Sequence, residues 1–276
     1  MSSSDIGEAT ISGTISFTPV NWDTPQTVTV TGVYENTIDG DQTSTITITI
    51  VDSISDSDFS NVTDQTVSVV TTDNDAAGFT IEETEGSTEV DESGTTDTFT
   101  VVLDAQPTSD VVLTITSDDT GEATVPASVT FTAADWDTPQ TVTVTGADDS
   151  IIDGTITSTI TIAVDDANSD DDFDAVTDQT LSVDTTDDDV AGFTIEETEG
   201  ATEVDESGST DTFTIVLDAQ PTNDVVVLAT ASNDETEAIV SGSITFTSAN
   251  WDTPQTAVSY THLRAHETEA DLVCRL

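Results

Sequence analysis

Along residues 96–186 the apolar positions recur every second residue. Phe99, Val101 and Leu103 alternate with smaller or polar neighbours, Val112 to Ile115 follow, and Val129 and Phe131 come next. Thr141 to Gly146 (TVTVTG), Ser158 to Val164 (STITIAV) and Thr180 to Val183 (TLSV) continue the pattern. A period of two is the signature of a strand with one buried face. Thr and Val dominate these runs, and β-branched side chains suit a pleated, half-buried surface. Gly, Pro, Asn and Asp fill the gaps between runs, where turns need them. No stretch carries a 3.6-residue period. The pattern predicts an all-β fold: tandem immunoglobulin-like antiparallel β-sandwich domains of about seven strands each.

The strand pattern is itself repeated. Trp22 and Trp136 are 114 residues apart, as are Phe79 and Phe193, Phe99 and Phe213, Pro107 and Pro221, and Asp39 and Asp153; Trp251 follows Trp136 by 115. A period of this length is too long for a solenoid and fits tandem domains with separate cores. The reading divides the chain into a C-terminal part of one repeat (1–75), a complete repeat (76–189) and an N-terminal part of a third (190–257). The expectation is a fragment of a longer array. The Met1 end, SSSDIGEATISG, has neither a basic nor an apolar leader segment, so no signal peptide is expected in it.

Residues 258–276 differ in kind. Both Arg, both His and the single Cys (Cys274) fall in this stretch, VSYTHLRAHETEADLVCRL, together with only three of the 56 acids. It interrupts the third copy of the motif read as NWDTPQTVTVTG at 21–32 and DWDTPQTVTVTG at 135–146. SYTHLRAHE and DLVCRL resemble the constant parts of a translated sequencing adapter, so the segment is read as a non-native tail and set aside.

What remains contains no basic side chain at all, and the whole chain has a formal charge of −54. That excludes nucleic-acid binding, which requires Lys and Arg against phosphate, and a polybasic attachment to lipid headgroups. No run of 18 apolar residues exists, so membrane insertion is not expected. Without a Cys, Lys or His outside the tail, and without a Gly-rich phosphate loop, nucleophilic and acid–base enzymes lose their usual groups. Paired carboxylates could serve a glycosidase, but the same acids recur in each copy, and a catalytic site rarely recurs once per repeat. The chain is expected not to be an enzyme.

The acids gather where strands end. In the complete copy these are Glu92, Asp118 and Asp119, then Asp148, Asp149 and Asp153 in GADDSIIDG, then Asp187, Asp188 and Asp189. In an antiparallel sandwich alternate loops share one end, so these carboxylates would repel one another with no protein cation nearby. A hard divalent ion relieves that repulsion. Ca²⁺ accepts six to eight oxygens in flexible geometry, whereas Mg²⁺ demands a tight octahedron. Nine carboxylates offer more oxygens than one ion uses, so two or more Ca²⁺ are expected. The opposing reading is a merely solvated surface adapted to salt, where screening at about 1 M shortens the Debye length to roughly 3 Å.

GADDSIIDG, then TSTITIAV, then TTDDDVAGFTI resembles the Calx-β pattern of acidic loop, strand and closing acidic triplet. VDESGTTDTFTVVLD is similar to that family's opening segment, and SVTFTAADWDTPQTVTVTG to its middle hairpin. The resemblance implies a β-sandwich with Ca²⁺ clustered at one end, held by Glu92, Asp119, Asp148, Asp149, Asp153 and Asp187 to Asp189. The first copy departs from it with Tyr34 in place of Asp148 and Asn74 in place of Asp188, which implies a weaker site there, and it lacks the opening Glu segment, expected upstream of Met1; the third keeps Glu206 and Asp234 but lacks the later loops. Arrays of this kind occur in large bacterial surface adhesins. The resemblance therefore implies an extracellular or cell-surface, calcium-stabilised spacer or adhesion repeat whose partners are neighbouring repeats, with any glycan or protein ligand bound outside this segment. The alternatives are a glycan- or protein-recognition module, or an accessory array of a secreted enzyme. Trp22, Trp136 and Trp251 are read as packing residues rather than a sugar platform, and SDDDFDAVTD (169–178) as an acidic loop, since it lacks the central Gly of an EF-hand.

Overall fold

The computed structural model describes residues 1–205, 207–230, 239–240 and 242–261. These residues form strands, turns and short 3₁₀ segments, with no α-helix among them, and no helix there is long and apolar enough to cross a membrane.

Residues 79–186 build two sheets. One has the order Ala123–Thr124, Gln140–Gly146, Thr96–Leu103, Phe79–Glu83; the other Ser128–Phe131, Val111–Ser117, Ile156–Val164, Gln179–Thr186, Thr88–Asp91. All pairings are antiparallel except Thr88–Asp91 on Gln179–Thr186, which is parallel. Inward residues of both sheets form one core that includes Phe99, Leu113, Phe131, Val142, Ile160, Ile162 and Val183, all fully buried. Each such side chain contributes roughly 1.5–3 kcal/mol by leaving water. The all-β sandwich expected from the alternation is what forms, with nine strand segments rather than about seven. One extra is the two-residue Ala123–Thr124; the other arises because the opening strand splits. Phe79–Glu83 joins one sheet, a tight turn with positive φ at Glu85 and Gly86 crosses over, and Thr88–Asp91 joins the other.

The remaining strands pair on either side of this unit. Ser2–Ser3, Gln42–Ile48 and Gln65–Thr71 form one sheet, and Ala9–Ile11 pairs with Val30–Gly32. Toward the C-terminus, Phe193–Glu197, Thr210–Leu217, Gln255–Tyr260 and Ile239–Val240 form a sheet, and Val225–Leu228 pairs with Ser243–Phe246. Among the described residues no strand ladder crosses between the three groups; the single bridges Thr37–Gln106 and Ile151–Gln220 do. At the period of 114, residues 1–75 match 115–189, so nothing in them corresponds to the strands at 79–103. Phe131 is fully buried, whereas its counterpart Phe17 is 54% exposed. Trp136 and Trp251 pack against the cores of their units, as expected of them, while Trp22 is 70% exposed. The 169–178 loop forms a 3₁₀ turn at Asp171–Phe173 that buries Phe173. Of the segment read as a tail, Val258 to Tyr260 continue the Gln255–Tyr260 strand against Thr210 to Thr212, and residues 262–276 lie outside the described residues.

Candidate metal centre

The connections at 92–95, 118–122, 147–155 and 187–189 lie at one end of the 79–186 sandwich. Each follows or precedes a strand that positions it. Thr88–Asp91 runs parallel to Gln179–Thr186, and the Glu92 N–H donates to the Thr186 carbonyl at 3.1 Å, fixing Glu92 beside the exit of that strand. Gly146 makes this possible: a Cβ at this position would sit 2.0 Å from the Asp91 carbonyl oxygen, so only glycine lets the two chains pass. On the other side, the Ala147 N–H donates to the Glu122 carbonyl at 2.8 Å, bringing Glu122 under the acidic loop.

Two sets of carboxylate oxygens converge there: Glu92, Asp149 and Asp189, and Glu92, Glu122 and Asp153, each with atoms within 4.8 Å of one another. Glu92 belongs to both. It is 1% exposed, and neither of its oxygens has a hydrogen-bond partner. One oxygen of Glu122 and one of Asp189 are likewise buried and unpartnered. At an effective dielectric of about 20, two full charges 4.8 Å apart repel by roughly 3 kcal/mol. The titration behaviour follows. Burial first, then the charges of Asp149, Glu122, Asp187 and Asp153, push the Glu92 carboxyl up to about 7. Burial and the same neighbourhood raise Glu122, and burial with Asp187 and Asp188 raises Asp189.

The other sequence-predicted residues take different places. Asp187 orders the loops: its carboxylate accepts from the N–H groups of Gly154 (2.8 Å), Asp189 (2.8 Å) and Asp153 (2.9 Å), which hold it below the usual carboxylate range. Asp118 is engaged in strand pairing, accepting the Thr159 N–H at 2.7 Å while its own N–H donates to the Thr159 carbonyl. Asp119 caps the turn through the Gly121 N–H at 2.9 Å. Asp148 and Asp188 stand near enough to act on Asp189 through their charge, outside both convergent sets. Glu122 is the residue the sequence reading passed over. Its signal was the recurrence of Gly-Glu-Ala-Thr at 7–10 and 121–124.

A reduced version recurs in residues 1–75, where Glu8, Glu35 and Asp39 converge within the same distance. Asp73 there accepts from Gly40 and Asp39 as Asp187 does from Gly154 and Asp153. Tyr34 donates to Asn36. Glu206 and Asp234 lie outside the described residues.

The end of the sandwich thus holds an oxygen-rich, anionic, partly closed cluster with no cationic side chain among the described residues. The donor set is that of a hard divalent ion, and the unpartnered oxygens of Glu92 are what such an ion would complete.

No protein-family model matches the chain, and no curated protein does. Solved structures similar to it include domains 4–9 of the surface layer protein SbsC (16% identity, TM-score 0.34, covering 85% of this chain and 32% of that one). Domains 4 and 5 of SbsC are 20% identical over 58% of this chain and 62% of theirs, with a TM-score of 0.32. CBD12 from CALX1.2 is 15% identical over 66% of this chain and 75% of its own, with a TM-score of 0.30. The chain spans about a third of the SbsC domain 4–9 structure. The assignment to all-β sandwich units rests on the strand order above, not on these likenesses.

Proposed function

We propose that this chain is a run of calcium-stabilised structural repeats from an extracellular or cell-surface protein, acting as a non-enzymatic spacer in an adhesive assembly. The 76–189 unit is its complete repeat. Glu92, Glu122, Asp149, Asp153 and Asp189 hold the ions, with Glu92 shared between two positions. Asp187 keeps the loops in place, and Asp119, Asp148 and Asp188 add charge at the rim. The observation that carries this reading is the Glu92 carboxylate: it is buried with both oxygens unpartnered, among four acids and with no cationic side chain among the described residues.

Burying an unpaired charge is among the costliest arrangements in a folded chain, so its presence in the sandwich calls for a ligand of opposite charge. Bound Ca²⁺ replaces repulsion with attraction and ties four separate loops together. An extracellular setting would supply the ion, since extracellular calcium modules work at affinities of about 10⁻⁴–10⁻³ M. Within the 79–186 unit Trp136 packs against the core, which speaks against its use as an aromatic platform for a glycan there.

Calorimetric unfolding of the chain in EDTA, in millimolar Ca²⁺ and in millimolar Mg²⁺ tests the proposal. A ligand at 100 times its Kd stabilises by about 2.7 kcal/mol, so the midpoint should rise clearly with Ca²⁺ and little with Mg²⁺. Equal midpoints in all three solutions would overturn it.

A further inference from the structure

The two single bridges between units sit at equivalent positions. The Gln106 N–H donates to the Asn36 carbonyl at 2.8 Å, and the Gln220 N–H to the Ser150 carbonyl at 2.7 Å. Thr37 and Ile151 are the bridge partners, in parallel orientation. Gln106 with Gln220, Asn36 with Ser150, and Thr37 with Ile151 are each 114 residues apart. The geometry is therefore made twice by the same sequence positions.

The receiving side is an Ala-Gln-Pro turn, 105–107 and 219–221, at the end of the sandwich opposite the acidic cluster. Its alanines are buried. The Gln side chains brace the turn from within their own unit, Gln106 Nε2 donating to the Ala133 carbonyl at 2.8 Å and Gln220 Nε2 to the Ser248 carbonyl at 3.1 Å. The inserting side is the acidic loop of the preceding unit. At the first junction, the Thr37 hydroxyl donates to Gln106 Oε1 at 3.2 Å, and Ile38 packs against the core of the 79–186 unit.

That loop also carries candidate ligands. Asp149 and Asp153 flank Ile151, and the Ile151 N–H donates to Asp149 Oδ1 at 2.6 Å. At the first junction Glu35 and Asp39 flank Thr37 in the same way. The residue that pairs with the next unit is thus bonded to a carboxylate of the cluster.

We propose that the Ala-Gln-Pro turn is a docking site for the acidic loop of the preceding repeat, a head-to-tail latch through which cation occupancy sets the stiffness of the junction. This rests on the cation reading above and adds the surface that transmits it. An ion that fixes Asp149 restricts the loop, so the latch loses less entropy on closing. By linkage, a closed latch strengthens ion binding by the same factor.

The test uses the full chain with Cys274→Ser and nitroxide labels at Ser182→Cys and Asn223→Cys, both exposed and on opposite sides of the second junction. Pulsed dipolar spectroscopy should give a distance distribution that narrows when Ca²⁺ replaces EDTA. Gln220→Pro deletes the latch N–H; in Ca²⁺ its distribution should stay as broad as that of the parent in EDTA. Its Ca²⁺ affinity by titration calorimetry should fall by up to about fivefold, the range of one hydrogen bond. Gln220→Ala keeps the N–H and should retain the narrow distribution. Hydrogen exchange over Thr210–Leu217 verifies that each variant keeps its sheet, and Gln106→Pro, with labels across the first junction, repeats the test on an independent site. A parent that binds Ca²⁺ while both proline variants leave width and affinity unchanged would overturn the latch alone. A parent that binds no Ca²⁺ would overturn the cation reading and the coupling with it.

Discussion

The two ends of the 76–189 sandwich each bury a carboxylate, and they treat it in opposite ways. Asp170, 4% exposed, begins the 3₁₀ turn at Asp171–Phe173. Its Oδ2 accepts from the N–H groups of Thr108 and Ser109, both at 2.7 Å, and from the Thr108 hydroxyl at 2.8 Å; Oδ1 accepts the Asp172 N–H at 3.1 Å. Burial alone would raise its pKa, but these donors outweigh it and hold the carboxyl below the usual range. Glu92, at the other end, has no donor and is pushed up to about 7. Both are buried acids in one small fold. The difference is that protein donors satisfy the charge of Asp170, whereas neither oxygen of Glu92 has a partner among the described residues.

The largest effect expected from breaking this comparison is at Asp170. Asp170→Ala leaves the Thr108 and Ser109 N–H groups without an acceptor in a buried corner. It should cost about 3 kcal/mol, by urea unfolding, and the loss should be equal in EDTA and in Ca²⁺. A loss that depends on Ca²⁺ would show that the two ends are not independent.

Glu92→Gln should behave in the reverse sense. In EDTA at pH 8 it removes a buried charge and should stabilise the fold by about 2 kcal/mol. In Ca²⁺ it removes the shared ligand, so most of the Ca²⁺-dependent rise in midpoint should vanish. A variant destabilised in both solutions would mean that Glu92 is an ordinary structural acid.

The pH dependence sharpens the contrast without a mutation. Glu92, Glu122 and Asp189 all have raised values, so the folded state holds their protons more tightly than the unfolded chain does. Their contribution is complete below the ordinary carboxylate range and is lost as the pH rises through about 7 for Glu92. Asp170 and Asp187 have lowered values and contribute above the ordinary range, losing that contribution as the pH falls through their folded values. In EDTA, stability should therefore be greatest at mildly acidic pH and decline toward pH 8, by about 1–2 kcal/mol. In saturating Ca²⁺ the decline should disappear, because the ion needs the deprotonated oxygens. A flat profile in EDTA between pH 5 and 8 would count against the buried, unanswered charge.

Much of this was legible before any coordinates. The alternation of Phe99, Val101 and Leu103, and the Thr-Val runs after them, specify a half-buried strand from local pattern alone. The splitting of the opening strand was not legible. Nothing local in FTIEETEGSTEVD marks a break between two strands, and only long-range pairing, antiparallel to Thr96–Leu103 and then parallel to Gln179–Thr186, divides it between sheets. The acidic end was legible as an end, because Asp and Gly collect where strands turn. The division of labour within it was not. Asp187 and Asp189 are two residues apart in one triplet, yet one collects backbone N–H groups and the other presents an unpartnered oxygen. Asp118 and Glu122 are similarly close, and the first pairs with Thr159 while the second turns inward. Side-chain direction in a tight loop depends on which backbone donors the neighbouring loops bring near, and composition carries no trace of that.

The smallest expected effect separates two explanations of the reduced cluster in residues 1–75. From sequence, one part of the weakness lies in Tyr34 and Asn74, which stand 114 residues before Asp148 and Asp188. From structure, Asp148 and Asp188 belong to neither convergent set, whereas Glu92 belongs to both. Restoring the two acids by Tyr34→Asp and Asn74→Asp should therefore change little. Hydrogen exchange of the Gln42–Ile48 strand should shift by less than about 0.5 kcal/mol in Ca²⁺, with no new tight site by calorimetry. In EDTA the added charges should weaken this region slightly, because they join Glu8, already raised by burial and by Glu35 and Asp39. If the double substitution instead creates a second strong Ca²⁺ response, the rim acids are true ligands, and the buried, shared carboxylate is not what makes the centre.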